Sequence, residues 1–419
     1  MVLLLAILKD KSNWVIEYGN FPEVAGNPHV NLHEMVQEMQ RLIVAEMMIA
    51  QKNNTQLLDF SYHPTQDAAQ VVPAERPRYM MMYKHQTDPS NRVAINGATT
   101  QFNLDLNQDN YVLQMEALTY LAVLLPAATW NGSIAYNPET ERVDADNGLL
   151  TQRPKNWQEG FAGNAPGPLL MALNAGFSHH AYVDMMEKIP MIIKTTDDGG
   201  YVDAYNDNAN DYIKRGAFTM SDARNLLKSV RSDIRITMPG VVEFRPLDSG
   251  SFKENMGIGC MLYAINENRQ ALEDIIKIFH DAGLNDPEKL MDFRTQIISS
   301  GLRADNGKAT ELYKQVLHIA NMALAQRNLG EEAYLQPLRE RVESGVTPAE
   351  QKRELFNDNK GDVISVIQSN VLLPNSLIFD NVPDNDRFID QQRAQYRNKL
   401  SGRQNSYVSS QEKQFGFAF

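Results

Sequence analysis

Hydrophobic residues recur along this chain with two periods. Between residues 32 and 50 they return every three or four positions, at Met35, Met39, Leu42, Ile43 and Met47. That spacing places them on one helical face and reads as core packing. The same period predicts helices over 111–125, 271–282, 287–299, 307–327 and 348–356. Short apolar or alternating runs predict strands over 3–8, 14–17, 56–62, part of 97–106, 189–195 and 241–246. The rest of 53–78 reads mostly as loop, and the polar, Gly-containing stretch 138–167 as a long loop of the kind that often carries function. Strands followed by helices predict an α+β fold, with helices packed on an antiparallel sheet and a helix-rich C-terminal half. From about Asp384 the composition turns to Gln, Asn, Arg, Ser and Asp, so 384–419 reads as a polar arm or tail beyond a domain spanning 1–383.

Composition narrows the picture. The 419 residues suffice for a substantial core. With 43% hydrophobic and 22% charged residues the chain is globular in composition. Its net charge of −12 and pI near 5.2 argue against nucleic acid as a partner, so a bound nucleotide would need local Arg, Lys or a metal ion. The single cysteine, Cys260, permits no intramolecular disulfide and reads as a packed thiol. The apolar opening lacks a basic n-region and a small-residue cleavage site, so it reads as a buried strand rather than a signal segment. The run 113–128 contains Gln114 and Glu116 and reads as too short and too polar to cross a membrane. These features predict a soluble, cytoplasmic protein.

Three groups of residues offer chemistry. In Val242-Glu243-Phe244-Arg245, strand alternation puts Glu243 and Arg245 on one face. A carboxylate beside a guanidinium suits a metal–phosphate site, although the four residues alone read more readily as a solvent-facing charge pair. Gln101, Asn103 and Asp105 share one face of a strand, with Phe102 and Leu104 on the core side. That row suits a metal or substrate cleft, or an ordinary half-exposed strand. Glu17 and Glu23 flank Gly19 and could share a divalent ion, or be two exposed loop acids. No P-loop, no GxGxxG run and no zinc-spaced Cys/His cluster is present. His179-His180 reads as a loop pair without a metal role.

Taken in order, these segments resemble the glutamate–cysteine ligase family in its plant and proteobacterial branch. Glu17-Tyr18-Gly19-Asn20-Phe21-Pro22-Glu23, with Gly26 and Pro28, resembles LEPGGQFELSGAP. Pro77-Arg78-Tyr79-Met80-Met81-Met82 resembles KGRY-x-x-M, Thr99 to Asp105 resembles T-x-QVNLD, and Arg153 to Trp157 resembles R-x-x-x-W. Tyr182-Val183-Asp184, Pro190-Met191 and Tyr201-Val202-Asp203 resemble YVD…PM…YID. Arg235 and Glu243-Phe244-Arg245 with Asp248 resemble VR…LEMR-x-x-D, and Gly345 to Glu350 matches GVTPAE. The resemblance covers about residues 5–360 and implies a glutamine-synthetase-like fold. It implies a ligase in which ATP, with Mg²⁺, phosphorylates the γ-carboxylate of glutamate and an amine, cysteine by default, attacks the acyl phosphate on the way to glutathione. It assigns Glu17, Glu23, Gln101 and Glu243 to metal, and Asn103, Arg235 and Arg245 to the phosphates of ATP, the two arginines acting in catalysis. Arg78 and Arg153 are assigned to a substrate carboxylate or phosphate.

The resemblance is incomplete. The family's first acidic strand, G-[TI]-E-x-E, has no counterpart in these residues, which implies a weakened metal site and an open sheet edge. A truncated gene model, a strand supplied by a partner chain or a second copy, or altered activity would each account for it. The loop after Trp157 lacks the acidic–Arg run of the plant enzymes, leaving the acceptor amine open. A non-catalytic ligase-like regulatory or binding subunit, and a ligase for another amine, are therefore alternatives.

Overall fold

The structure, a computed structural model, describes residues 13–16, 22–67, 70–85, 97–137, 140–145, 148–160, 166–196, 200–204, 207–237, 240–379 and 382. The strand expected over 3–8, Glu17 and the tail 384–419 lie outside them. The chain is mixed helix and antiparallel sheet, as expected. Its strands are β1 (Asn13–Ile16), β2 (Pro22–Ala25), β3 (Thr99–Asp105), β4 (Ala135–Asn137), β5 (Arg142–Asp144), β6 (Ile193–Thr195), β7 (Tyr201–Asp203), β8 (Ile234–Thr237) and β9 (Val241–Asp248). β1–β2, β4–β5 and β6–β7 are antiparallel pairs, and β3–β9–β8 is a three-stranded antiparallel sheet. β3 and β8 are its edges among the described residues.

The three-stranded sheet is two-faced because its sequence alternates. Leu104, Val242, Phe244 and Ile234 are buried on one face, while Gln101, Asn103 and Asp105 are exposed on the other. Complete burial of Val242 and Phe244 stabilises by roughly 1.5–3 kcal/mol each. Against the apolar face lie helices Tyr111–Leu124 and Phe252–Asn266. The second approaches closely because Gly259 has no side chain: a Cβ there would stand 2.4 Å from Phe102 Cε1. Helices Arg269–Asp281, Pro287–Ser300 and Lys308–Ala325 complete the same core. Cys260 sits within it, and burial pushes its thiol well up, in keeping with a packed cysteine.

Several expectations need correction. Tyr111–Ala128 is long and apolar enough to cross a membrane, but 78% of that stretch is buried inside the protein, where its apolar surface belongs to the core. Residues 56–62 form only isolated bridges, Leu58 to Val371 and Tyr62 to Gly97, because no extended partner strand lies beside them among the described residues. The expected loop 138–167 contains β5 and the helix Arg153–Gly160. The expected strand 189–195 shrinks to β6. His179 and His180 open a helix, His179–Lys188, whose N-terminus Ser178 caps by accepting the Ala181 N–H. Helices Pro77–His85, Met220–Ser229, Phe252–Asn266 and Gln336–Ser344 were not predicted.

Candidate functional site

The polar face of the three-stranded sheet gathers the residues of interest. Asn103 and Arg235 both sit opposite Glu243, one on each neighbouring strand. The β3–β9 register slips between Thr100 and Phe102, so that Arg245 and Pro246 together face Gln101. Pro246 has no N–H to give a ladder, and a bulge is where a central strand tolerates it. The Arg245 N–H instead donates to the Asp233 carbonyl at 2.8 Å. One carboxylate oxygen, Glu243 Oε2, accepts from Arg235 Nε at 2.6 Å and Arg245 Nη1 at 2.5 Å. Arg245 Nη1 also donates to Gln101 Oε1 at 3.0 Å. Gln101, Asn103, Glu243, Arg235 and Arg245 therefore meet on one surface.

This cluster is electrostatically tense. Burial, then the neighbouring Arg245, bring the Arg235 guanidinium down to about 10 against the attraction of Glu243, and Arg78 adds repulsion. Burial pushes Glu243 up, yet Arg245 and Arg235 outweigh it and hold the carboxyl below its ordinary range. Arg153 is brought down to about 10, first by burial, with Arg245 contributing. Its Nη2 donates to the Arg245 carbonyl at 3.1 Å. Buried cations crowded round one carboxylate are suited to a polyanion.

Behind the arginines runs a chain of buried hydrogen bonds. The Arg153 N–H donates to Thr151 Oγ1 at 3.3 Å, and Thr151 Oγ1 donates to Asp248 Oδ1 at 3.1 Å. Asp248 Oδ2 accepts the Asn131 N–H at 2.9 Å. The Asn131 amide nitrogen donates to Asp59 Oδ1 and to the Ser249 carbonyl, both at 2.9 Å. Lys352 Nζ donates to Asn131 Oδ1 at 2.6 Å. Thr151, Asn131, Asp59 and Lys352 were not singled out from sequence. A signal existed for Lys352, a charged residue three positions after Ala349 on the buried side of the helix Pro348–Asp358.

Of the other expected residues, Arg78 stands half-buried on helix Pro77–His85, near enough to lower the basicity of Arg235. Glu23 lies on β2, whose pairing is with β1 and not with the three-stranded sheet. Among the described residues no group of three His, Cys, Asp or Glu could hold a metal ion. The donor set fits Mg²⁺ as an ion that arrives with phosphate oxygens and takes one or two protein oxygens, from Glu243, Gln101 or Asn103. It does not form a protein cage of its own.

Comparison with known proteins identifies a family. The family model described as Glutamate-cysteine ligase family 2 matches residues 11–369. The glutamate–cysteine ligase, chloroplastic, of Medicago truncatula is 22% identical over 366 residues, which is 84% of this chain and 70% of the relative. That of Nicotiana tabacum is 22% identical over 381 residues, 88% of this chain and 70% of the relative, and that of Arabidopsis thaliana is 21% identical over the same shares. The cytoplasmic expectation is corrected here: it rested on the absence of a leader pattern, and these relatives are all named as chloroplastic.

Proposed function

Because the chain belongs to glutamate–cysteine ligase family 2, we propose that it is an ATP- and Mg²⁺-dependent ligase. It joins the γ-carboxylate of glutamate to an amine, cysteine by default, on a glutamine-synthetase-like sheet. The observation that carries this reading is the meeting of Gln101, Asn103, Glu243, Arg235 and Arg245 on one sheet face. Phosphoryl transfer to a carboxylate brings two anions together, so it needs positioned cations more than covalent chemistry. Arg235 and Arg245 bind phosphate oxygens and hold their charge as it shifts in the transition state. Arg153 and Arg78 hold the carboxylate of the second substrate. Asn103 meets the phosphates, while Gln101 and Glu243, with Glu17 and Glu23 as further candidates, offer oxygens to Mg²⁺. Mg²⁺, when bound, neutralises phosphate charge.

A coupled assay for ADP at millimolar Mg²⁺ tests the proposal: release should require glutamate and an amine together. No turnover across a wide amine panel would overturn it, and the preferred amine in that panel identifies the acceptor. A second reading, a ligase-like binding subunit, is favoured by Glu243 Oε2 being held by two guanidiniums, which compete with a metal ion for that carboxylate. ATP binding without ADP release would select it.

A further inference from the structure

Lys352 takes no part in the chemistry above, yet its side chain is only 5% exposed. Burying an ammonium is costly unless it is paired, and burial does lower the basicity of this one. An ammonium has three donors and no acceptor, so it can meet only the carbonyl end of the Asn131 amide. That contact fixes the amide's orientation and turns its nitrogen toward Asp59 and the Ser249 carbonyl. Asn131, so held, presents its backbone N–H to Asp248, three residues beyond Arg245 on the same strand. Asp248 grips Thr151, Thr151 seats the Arg153 backbone, and the Arg153 guanidinium caps the Arg245 carbonyl. Every residue of this path from Lys352 to Arg245 is buried.

We propose that Lys352 is a positioning residue for the anion-binding arginines: through Asn131, Asp248 and Thr151 it sets where Arg153 and Arg245 stand. The inference rests on the reading that Arg245 receives the phosphates of a nucleotide and Arg153 a substrate carboxylate beside them. A positioning contact of this kind typically changes ligand affinity by about 10–100-fold.

The test is titration of the full chain with inorganic tripolyphosphate by calorimetry, beside thermal unfolding of each variant. Lys352→Met keeps the length of the side chain and removes its charge. It should weaken tripolyphosphate binding about tenfold while unfolding stays a single cooperative transition, and Lys352→Arg should recover part of the loss. Thr151→Val, which removes one hydroxyl from the middle of the path, should weaken binding in the same direction. The double variant should fall well short of the product of the two effects, because the links act in series. Wild-type affinity in both single variants would overturn the proposal. If Lys352→Met fails to fold, Thr151→Val decides on the same criterion. If the wild-type chain does not bind tripolyphosphate, the nucleotide reading fails first and the inference falls with it.

Discussion

Arginines are partly or wholly withdrawn from solvent in two parts of this molecule, and they are partnered in different ways. In the helical half, Arg327 grips Glu331 with two nitrogens, at 2.5 and 3.2 Å, and also donates to the Val30 carbonyl and the Tyr263 hydroxyl. Burial lowers its basicity, but Glu331 more than reverses that, and the net shift is upward. Arg341 likewise has Glu254 at 2.7 Å. On the sheet face, Arg235 and Arg245 share one oxygen of Glu243, and Arg235 is left at about 10. The helical half spends its charges on holding itself together. The sheet face keeps cations poised for an anion that is not part of the fold, the pattern expected where stability has been exchanged for binding.

The sharpest way to break this contrast is to make the same substitution on both sides. Arg327→Met leaves Glu331, which is fully buried, without its cation. The Leu32 N–H that also donates to Glu331, at 2.9 Å, cannot replace a charge. Removing one member of such a pair costs about 3–5 kcal/mol, which urea unfolding will register as a lower midpoint. Arg245→Met should behave in the opposite way. It relieves Arg235 of its nearest like charge and leaves Glu243 paired with Arg235. Stability should stay within about 1 kcal/mol of wild type or rise. Turnover in the ADP assay should fall about 10²–10³-fold, as when one preorganised transition-state donor is lost. Equal destabilisation by the two substitutions would erase the distinction.

The same contrast explains what could be read in the sequence. Helices with one apolar face, such as Leu32–Lys52 and Arg269–Asp281, were legible because burial depends on spacing alone. The helix Phe252–Asn266 was not, because it is buried nearly all round and so shows little periodicity. Residues 241–246 were legible as a strand, but its continuation to Asp248 was not: Pro246 argues for an end, and only the bulge opposite Gln101 lets the strand pass it. The shared face of Glu243 and Arg245 follows from alternation, whereas the approach of Arg235 depends on cross-strand register, which periodicity could not give; the family resemblance named Arg235 without it. The path from Lys352 to Arg153 joins residues up to 221 positions apart, as the Lys352–Asn131 bond shows, and no local pattern encodes such a contact.

A pH titration probes whether Arg153 belongs to the tense side of the contrast. Asp248 is fully buried, and that burial pushes its carboxyl up to about 6 from an ordinary 3.8. Hydrogen bonds from Asn131 and Thr151 and the charge of Arg153 only partly oppose it. The folded state therefore holds this proton more tightly than the unfolded chain does. The stabilisation from this group is complete below about pH 3.8 and is lost as pH rises through about 6. Two units correspond to roughly 3 kcal/mol. Asp248→Asn removes the titration, so its unfolding free energy relative to wild type should climb by about that amount between pH 4 and 7, as measured by urea unfolding at each pH. A difference that stays flat over that range would mean that Asp248 is already ionised at pH 4 and balances Arg153 directly. Arg153 would then be partnered as Arg327 is, and the poised cations would be Arg235 and Arg245 alone.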